Sequence, residues 1–489
     1  MGDNNEIEIA PNHNAINFMV DDRGLPTQIV DRRRETFLGI MGGVGYNTNH
    51  IIGAGIFNTD KIWLLVGSPG VILIFFIFGG FMSLLGALIY IELGIRSLPK
   101  GIGEQRYIEN AFPGKKNFGH IFSFVVIIII LPGAIIADSY ACAQHLLYLF
   151  NKNPVPKQYF DTDYLVQRLM SILILAIITA YNMFSNRLSV LINKILASIK
   201  ICAILLISIA GLIKLSGSDA KNWNTIEELG EPKEAKLKYS SLISVCVSFI
   251  LYILINTAFA TSLGHDFFID ERGFNQTIAF NNTIALQFGY KLFNNNEIGA
   301  KIMSALVAIS AFGSVGAMVF IYARIIKYAA ATEFIPKYSY LFDNLNKKIG
   351  TPFNALLAQF LYCSIYLLLF FDPIKDIFEF CSETSQYLAM LFHGASAICL
   401  IIMKNHFDIV AFQIHKLIIA IYLIFVSIIV IISFFPPAPG QFDYYIPYVV
   451  SVAAILIGGI IWRFRNYLEN LEDPGSEGSE ESEGSDRLQ

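Results

Sequence analysis

Charge is what this sequence has least of. Only 15% of its 489 residues are Asp, Glu, Lys or Arg, where a soluble domain carries about 25%. A water-bathed globule is excluded, and lipid is the expected solvent. Cysteine is scarce as well. Cys142, Cys202, Cys246, Cys363, Cys381 and Cys399 all fall in apolar stretches without metal-ligand spacing, so they read as free buried thiols. Basic and aromatic residues are nowhere concentrated as a nucleic-acid surface requires. No His/carboxylate metal cluster or nucleophile motif is present, which argues against an enzyme, and no cofactor or metal is expected. The first thirty residues are polar, and no cleavable signal peptide is visible. The net charge of -4 says little about partners, because a terminal acidic tail supplies much of it.

What the sequence has in quantity is apolar length. Hydrophobic residues make up 54% of the chain, with 40 phenylalanines, and the mean hydropathy is +0.54. Stretches of about 20 apolar residues, the length a bilayer core requires, number about eleven. They fall near 37–57, 70–95, 120–149, 164–183, 188–215, 240–263, 298–330, 353–371, 374–403, 413–434 and 443–463. Pro132 and Gly133 interrupt the third, which is tolerated only where neighbours take the freed backbone groups. This divides the chain into a cytosolic N-terminal tail (1–36), a transmembrane domain (37–465) and a disordered acidic C-terminal tail (466–489).

Lysine and arginine in the short loops set orientation. Arg32, Arg33 and Arg34 put the N-terminus in the cytosol, and Arg96, Lys100, Arg106 and Arg187 then fall inside. Counting back from the C-terminus, the group from Arg324 to Lys348, then Lys404, Lys416, Arg463 and Arg465, also falls inside. The two counts conflict. Both the span ending near Leu215 and the one starting near Ser240 must run outward, yet only a short polar stretch separates them. One crossing is missing. Two sequons, Asn275-Gln-Thr and Asn281-Asn-Thr, lie in a loop this scheme places outside, where glycosylation is possible.

The stretches IIGAGIF (51–57), GSPGVILIFFIFGGFMSLLGALIYIELG (67–94) and LPKGIGEQRYIENAFP (98–113) resemble the L-type amino acid transporters of the amino acid–polyamine–organocation superfamily. VAISAFGSVGAMVFIYARIIKYAAATEFIP, at 307–336, resembles that family's eighth helix and following loop, and the fungal methionine-permease-like branch is the nearest. The resemblance implies an all-α polytopic membrane protein with the leucine-transporter-like fold, an inverted 5+5 repeat plus two helices. Its first and sixth helices are broken at mid-membrane around the substrate.

That fold gives the first span's glycines a purpose. Ile52, Gly53, Ala54, Gly55 and Ile56 would form an unwound segment whose amides suit a substrate carboxylate, while carbonyls from Asn49 to Ile52 suit its ammonium. The alternative from the residues alone is a small-residue packing face. Lys200 falls where sodium-independent relatives place a lysine instead of a sodium ion, tying the first helix to the fifth; the alternative is snorkelling. Ser310 and Gly313 match the eighth-helix pattern beside it, or are packing residues. Glu92 reads as structural, and Asp138 and His393 as satisfied core polar groups without a spacing partner.

The departure comes at the family's sixth helix. LYILINTAFATSLG (251–264) resembles the seventh helix, and EELGEPKEAKLKYSS (227–241) resembles the loop after the sixth. The chain therefore has about eleven transmembrane helices and lacks the equivalent of the sixth. The expected function is sodium-independent secondary transport of neutral L-amino acids, methionine-like ones included, by alternating access. One alternative is a transport-incompetent isoform or truncated gene product. Another is a receptor or channel, although no pore ring or filter loop is visible. The expected partners are an L-amino acid and the bilayer, with no heavy subunit expected. The plasma membrane is the expected home, with a vacuolar membrane as the alternative.

Overall fold

A computed structural model describes residues 18–20, 26–28, 40–57, 59, 69–97, 103–115, 117–150, 162–215, 235–263, 283–294, 296–332, 334, 338–346, 349–369, 377–406, 412–435 and 442–472. The sequons at Asn275 and Asn281 lie outside them, as do most of the N-terminal tail and the end of the acidic tail. One element departs from the all-α expectation. Phe18–Val20 pairs antiparallel with Pro26–Gln28, Met19 opposite Thr27. Strands of three residues carry no readable period, so only the intervening Asp21, Asp22 and Gly24 hinted at a hairpin.

The rest is helical. Helix α1 (Ile40–Ile51) is followed by a 3-10 turn at Gly55–Phe57. Then come α2 (Pro69–Arg96), the short amphipathic α3 (Gly103–Ala111), α4 (His120–Val125) and α5 (Leu131–Leu149). Next are α6 (Thr162–Phe184), α7 (Asn186–Leu215), α8 (Ala235–Leu263), α9 (Ile284–Leu292) and α10 (Glu297–Ala331). The chain continues through α11 (Ser339–Phe342), α12 (Phe353–Leu369), α13 (Ile377–His406), α14 (Lys416–Ile432) and α15 (Ile446–Glu472). Among the described residues, eight helices are long and apolar enough to cross a membrane, and α12 and α14 are shorter apolar helices. Helix α15 runs past the expected tail boundary at 465.

Composition sorts these helices by depth in the bundle. In α10, Gly, Ala and Ser recur along the helix and let neighbours approach closely, and 72% of its apolar window is buried. It packs against α5, α9, α7 and α1. Helix α2 is built from large side chains, only 28% of its window is buried, and Ile74, Phe75, Phe78 and Phe81 face outward as lipid contact requires. The cysteines divide likewise. Cys142, Cys363, Cys381 and Cys399 are buried, whereas Cys202 is exposed and Cys246 only half-buried, because those two sit on outward-facing turns of α7 and α8.

The Pro132 interruption is milder than a break. Residues Val126–Ile130 form a π-helical turn that joins α4 to α5 in a single candidate span, His120–Leu149. Proline at 132 removes the amide that would pair with the carbonyl of Ile128. The Tyr362 hydroxyl donates to that carbonyl at 2.9 Å, and Tyr322 donates to the neighbouring carbonyl of Ile127.

Glu92, at the end of α2, is fully buried and joins three segments. It pairs with Arg96 at 2.8 Å and Lys404 of α13 at 2.8 Å, and accepts from the amide of Ile414 at 2.8 Å. The structural reading of this residue stands on those contacts. Removing one charge from a buried set leaves the others uncompensated. Glu92→Gln is therefore expected to cost about 3 kcal/mol, read as a fall in the melting temperature of the detergent-solubilised protein. An unchanged melting temperature would refute the role.

Candidate functional site

The site is built where α1 ends. At 1.5 Å per residue the 12 residues of α1 span only about 18 Å, short of a bilayer core. The helix stops at Ile51, the chain bends through Ile52, Gly53 and Ala54, and a 3-10 turn follows at Gly55–Phe57. Two glycines within three residues weaken the helix there by about 1 kcal/mol each. Ile52, Ala54 and Ile56 are fully buried, Gly53 is partly buried and Gly55 is exposed.

A break at this depth strands backbone groups, and side chains from three other helices collect them. The Lys200 ammonium of α7 donates to the carbonyl of Ile52 at 2.6 Å and to that of Asn49 at 3.3 Å. Lys200 is 2% exposed, so it is sealed inside the bundle and does not snorkel. Ser310 of α10 donates to the carbonyl of Gly53 at 3.0 Å. Gly313, one turn along, admits the lysine stem: a Cβ there would stand 3.0 Å from Lys200 Cε and 3.0 Å from Asn49 Oδ1. The Asn49 amide reaches the carbonyl of Asn193 at 2.7 Å, holding α1 to α7 a second time.

Asp138 of α5 completes the break from the opposite side. Its Oδ1 accepts from the amide of Ala54 at 3.3 Å, and Ser314 and the charge of Lys200 also act on it. A Cβ at Gly53 would lie 2.6 Å from Asp138 Oδ2, so this glycine is required by close approach. At Gly55 a Cβ would meet nothing within 4 Å.

The sequence expectations fare unevenly against this geometry. Ile52 to Ile56, Lys200, Ser310 and Gly313 converge on one spot. Of the carbonyls from Asn49 to Ile52, expected to face a substrate ammonium, those of Asn49 and Ile52 already accept from Lys200. Asp138 has the partner that sequence spacing did not supply. His393 instead packs edge-on against Tyr90, at 5.4 Å between ring centroids. Asn193, Tyr252 and Ser314 were not singled out by sequence, since a lone polar residue on an apolar helix has no readable partner. A cavity of about 240 Å³ lies elsewhere, beside the π turn, lined by Ile127, Tyr322 and Tyr362 among others.

Two substitutions separate the close-packed glycine from the open one. Gly53→Ala is expected to destabilise by about 1–3 kcal/mol through overpacking on Asp138, and Gly55→Ala to stay within about 0.5 kcal/mol, both read from thermal unfolding. Equal effects would overturn the geometry.

Comparison with known proteins adds an independent observation. The family profile for amino acid permeases matches in two pieces, residues 36–232 and 224–461. The human large neutral amino acids transporter small subunit 2 is 26% identical over 406 residues, covering 75% of this chain and 69% of its own. The mouse Asc-type amino acid transporter 1 is 23% identical over 464 residues, covering 87% and 81%. The human cystine/glutamate transporter is 25% identical over 398 residues, covering 75% and 73%.

Proposed function

The chain belongs to the amino acid permease family, and from that premise we propose that it carries neutral L-amino acids, methionine-like ones included, by alternating access and without sodium. Its class is membrane transport of amino acids and not enzymatic catalysis. The observation that carries the finer reading is the broken end of α1 with Lys200 on its carbonyls. A fixed ammonium on the carbonyls of Ile52 and Asn49 does the neutralising that a bound cation would otherwise do, which supports sodium independence. The segment from Ile52 to Ile56 is the proposed substrate cradle, with Lys200, Ser310 and Gly313 holding its shape. The leucine-transporter-like arrangement supplies the alternating access. The names of two relatives speak of neutral amino acid and Asc-type transport, and a third of cystine and glutamate, so the relatives' names leave the choice of substrate open.

We also propose that the equivalent of the family's sixth helix is absent between α7 and α8. The charge count along the loops supports this, as do the division of the family match into two pieces that overlap at 224–232 and the exposure of His50, Ile51 and Gly55 beside the break. A product without that helix could insert and remain inactive, which is the second reading. One relative carries "small subunit" in its name, so a larger companion is an alternative to action alone. The N-terminus is proposed to be cytosolic and the home membrane the plasma membrane.

In a permease-deficient cell expressing this chain, radiolabelled methionine and leucine uptake is expected above vector controls and unchanged when choline replaces sodium. Insertion of a sixth span between Thr225 and Glu231 is expected to raise it. Surface expression without uptake from either form would overturn the transporter reading, and uptake from the restored form alone selects the inactive product.

A further inference from the structure

The carbonyls at the broken end of α1 that a ligand ammonium would use already have donors from the chain itself. Five consecutive or near-consecutive carbonyls already have donors. Asn49 and Ile52 accept from Lys200, Ile51 accepts from the Tyr252 hydroxyl at 3.4 Å, Gly53 accepts from Ser310, and Ala54 accepts from the amide of Phe57 at 3.0 Å. A second ammonium placed on the same carbonyls would also stand beside that of Lys200, where like charges repel. Among the described residues, the acidic side chain that contacts this segment is Asp138 of α5.

Its position suits the task. Lys200 is sealed, but Asp138 is only partly buried, and Gly55, the residue after the Ala54 whose amide it accepts, is exposed. An ionised carboxylate offers about four lone-pair sites. Ala54 takes one, and the Ser314 hydroxyl faces the group as well, which fixes its orientation and leaves acceptor capacity. Charged and titratable groups acting on it include Lys200 of α7, Tyr252 of α8 and Cys142 of its own helix. A ligand carboxylate set at the same spot would meet a like charge, whereas a ligand ammonium gains a charge-assisted hydrogen bond.

We propose that Asp138 is the substrate-binding residue that receives the ligand's ammonium group, so that a primary ammonium is the chemical feature this site demands. The proposal rests on the transporter reading above and assigns one subsite within it. On this assignment an amino acid ester, which keeps the ammonium, remains a ligand, and an N-acylated amino acid does not.

The test uses the purified full-length chain in detergent, with thermal unfolding as the readout and leucine, leucine methyl ester and N-acetyl-leucine as probes. Leucine and its methyl ester are expected to raise the melting temperature and N-acetyl-leucine to leave it unchanged. Asp138→Asn keeps the shape and removes the charge. It is expected to lose the ester's shift and to need at least about tenfold more leucine for the same shift, a loss of about 1.4 kcal/mol. Leucine stabilisation that is equal in the wild type and Asp138→Asn would overturn the assignment and leave the transporter reading intact. So would a wild type that prefers N-acetyl-leucine to the ester, a result that does not depend on the variant folding. A wild type stabilised by none of the three would overturn both.

Discussion

The contact on which the rest of the site depends is the one between the Lys200 ammonium and the carbonyl of Ile52. A helix that stops in the middle of a bilayer bares carbonyls and amides that lipid cannot satisfy, each at a cost of several kcal/mol. At 2.6 Å the lysine removes that cost on the carbonyl side and in return finds acceptors for a charge that would be expensive when buried alone. Neither group is stable there without the other. The arrangement of α1, α7 and α10 follows from it: Asn193 on α7 holds Asn49, and Gly313 on α10 leaves room for the lysine stem. Ser310 takes the next carbonyl.

The amide side of the same break is served by the opposite charge. Asp138 accepts from Ala54 as Lys200 donates to Ile52, so a single unwound turn is held between a cation on one helix and an anion on another. The two charges differ in access. Lysine behind the turn is structural because nothing reaches it, while the carboxylate beside exposed Gly55 can exchange partners. On the proposed assignment, that asymmetry lets one unwound turn serve both the backbone and a ligand.

Much of this was legible in the chain before any coordinates. The glycines of IIGAGIF pointed to the break once the family resemblance was set beside them; by themselves they also fitted a small-residue packing face. Lys200 was legible as a charge too deep to be incidental. Asp138 carried the same signal but was passed over, since its partner lies 84 residues away, on a turn whose amides become available only when α1 unwinds. The competition for the carbonyls was hidden for a related reason. The sequence names the acceptors near Asn49 but cannot say that the chain's own ammonium reaches them first. The π turn at Val126–Ile130 was legible as a proline, though its repair by Tyr322 and Tyr362 was not.

The charge count along the loops and the open side of the first helix bear on the same question by different routes. Lipid-facing positions on α2 are Ile and Phe, which need no partner. The exposed positions beside the break are different in kind: His50 is polar, and Gly55 presents bare backbone. Hydrocarbon tolerates neither, so protein or water must meet that side. A further helix would dry the site and strengthen every charge interaction within it, Asp138 and Lys200 included. Water alone would leave those charges partly screened and the turn looser. The strength with which Lys200 and Asp138 hold the broken turn therefore depends on what lies against His50 and Gly55, because their electrostatic energy rises as water is excluded.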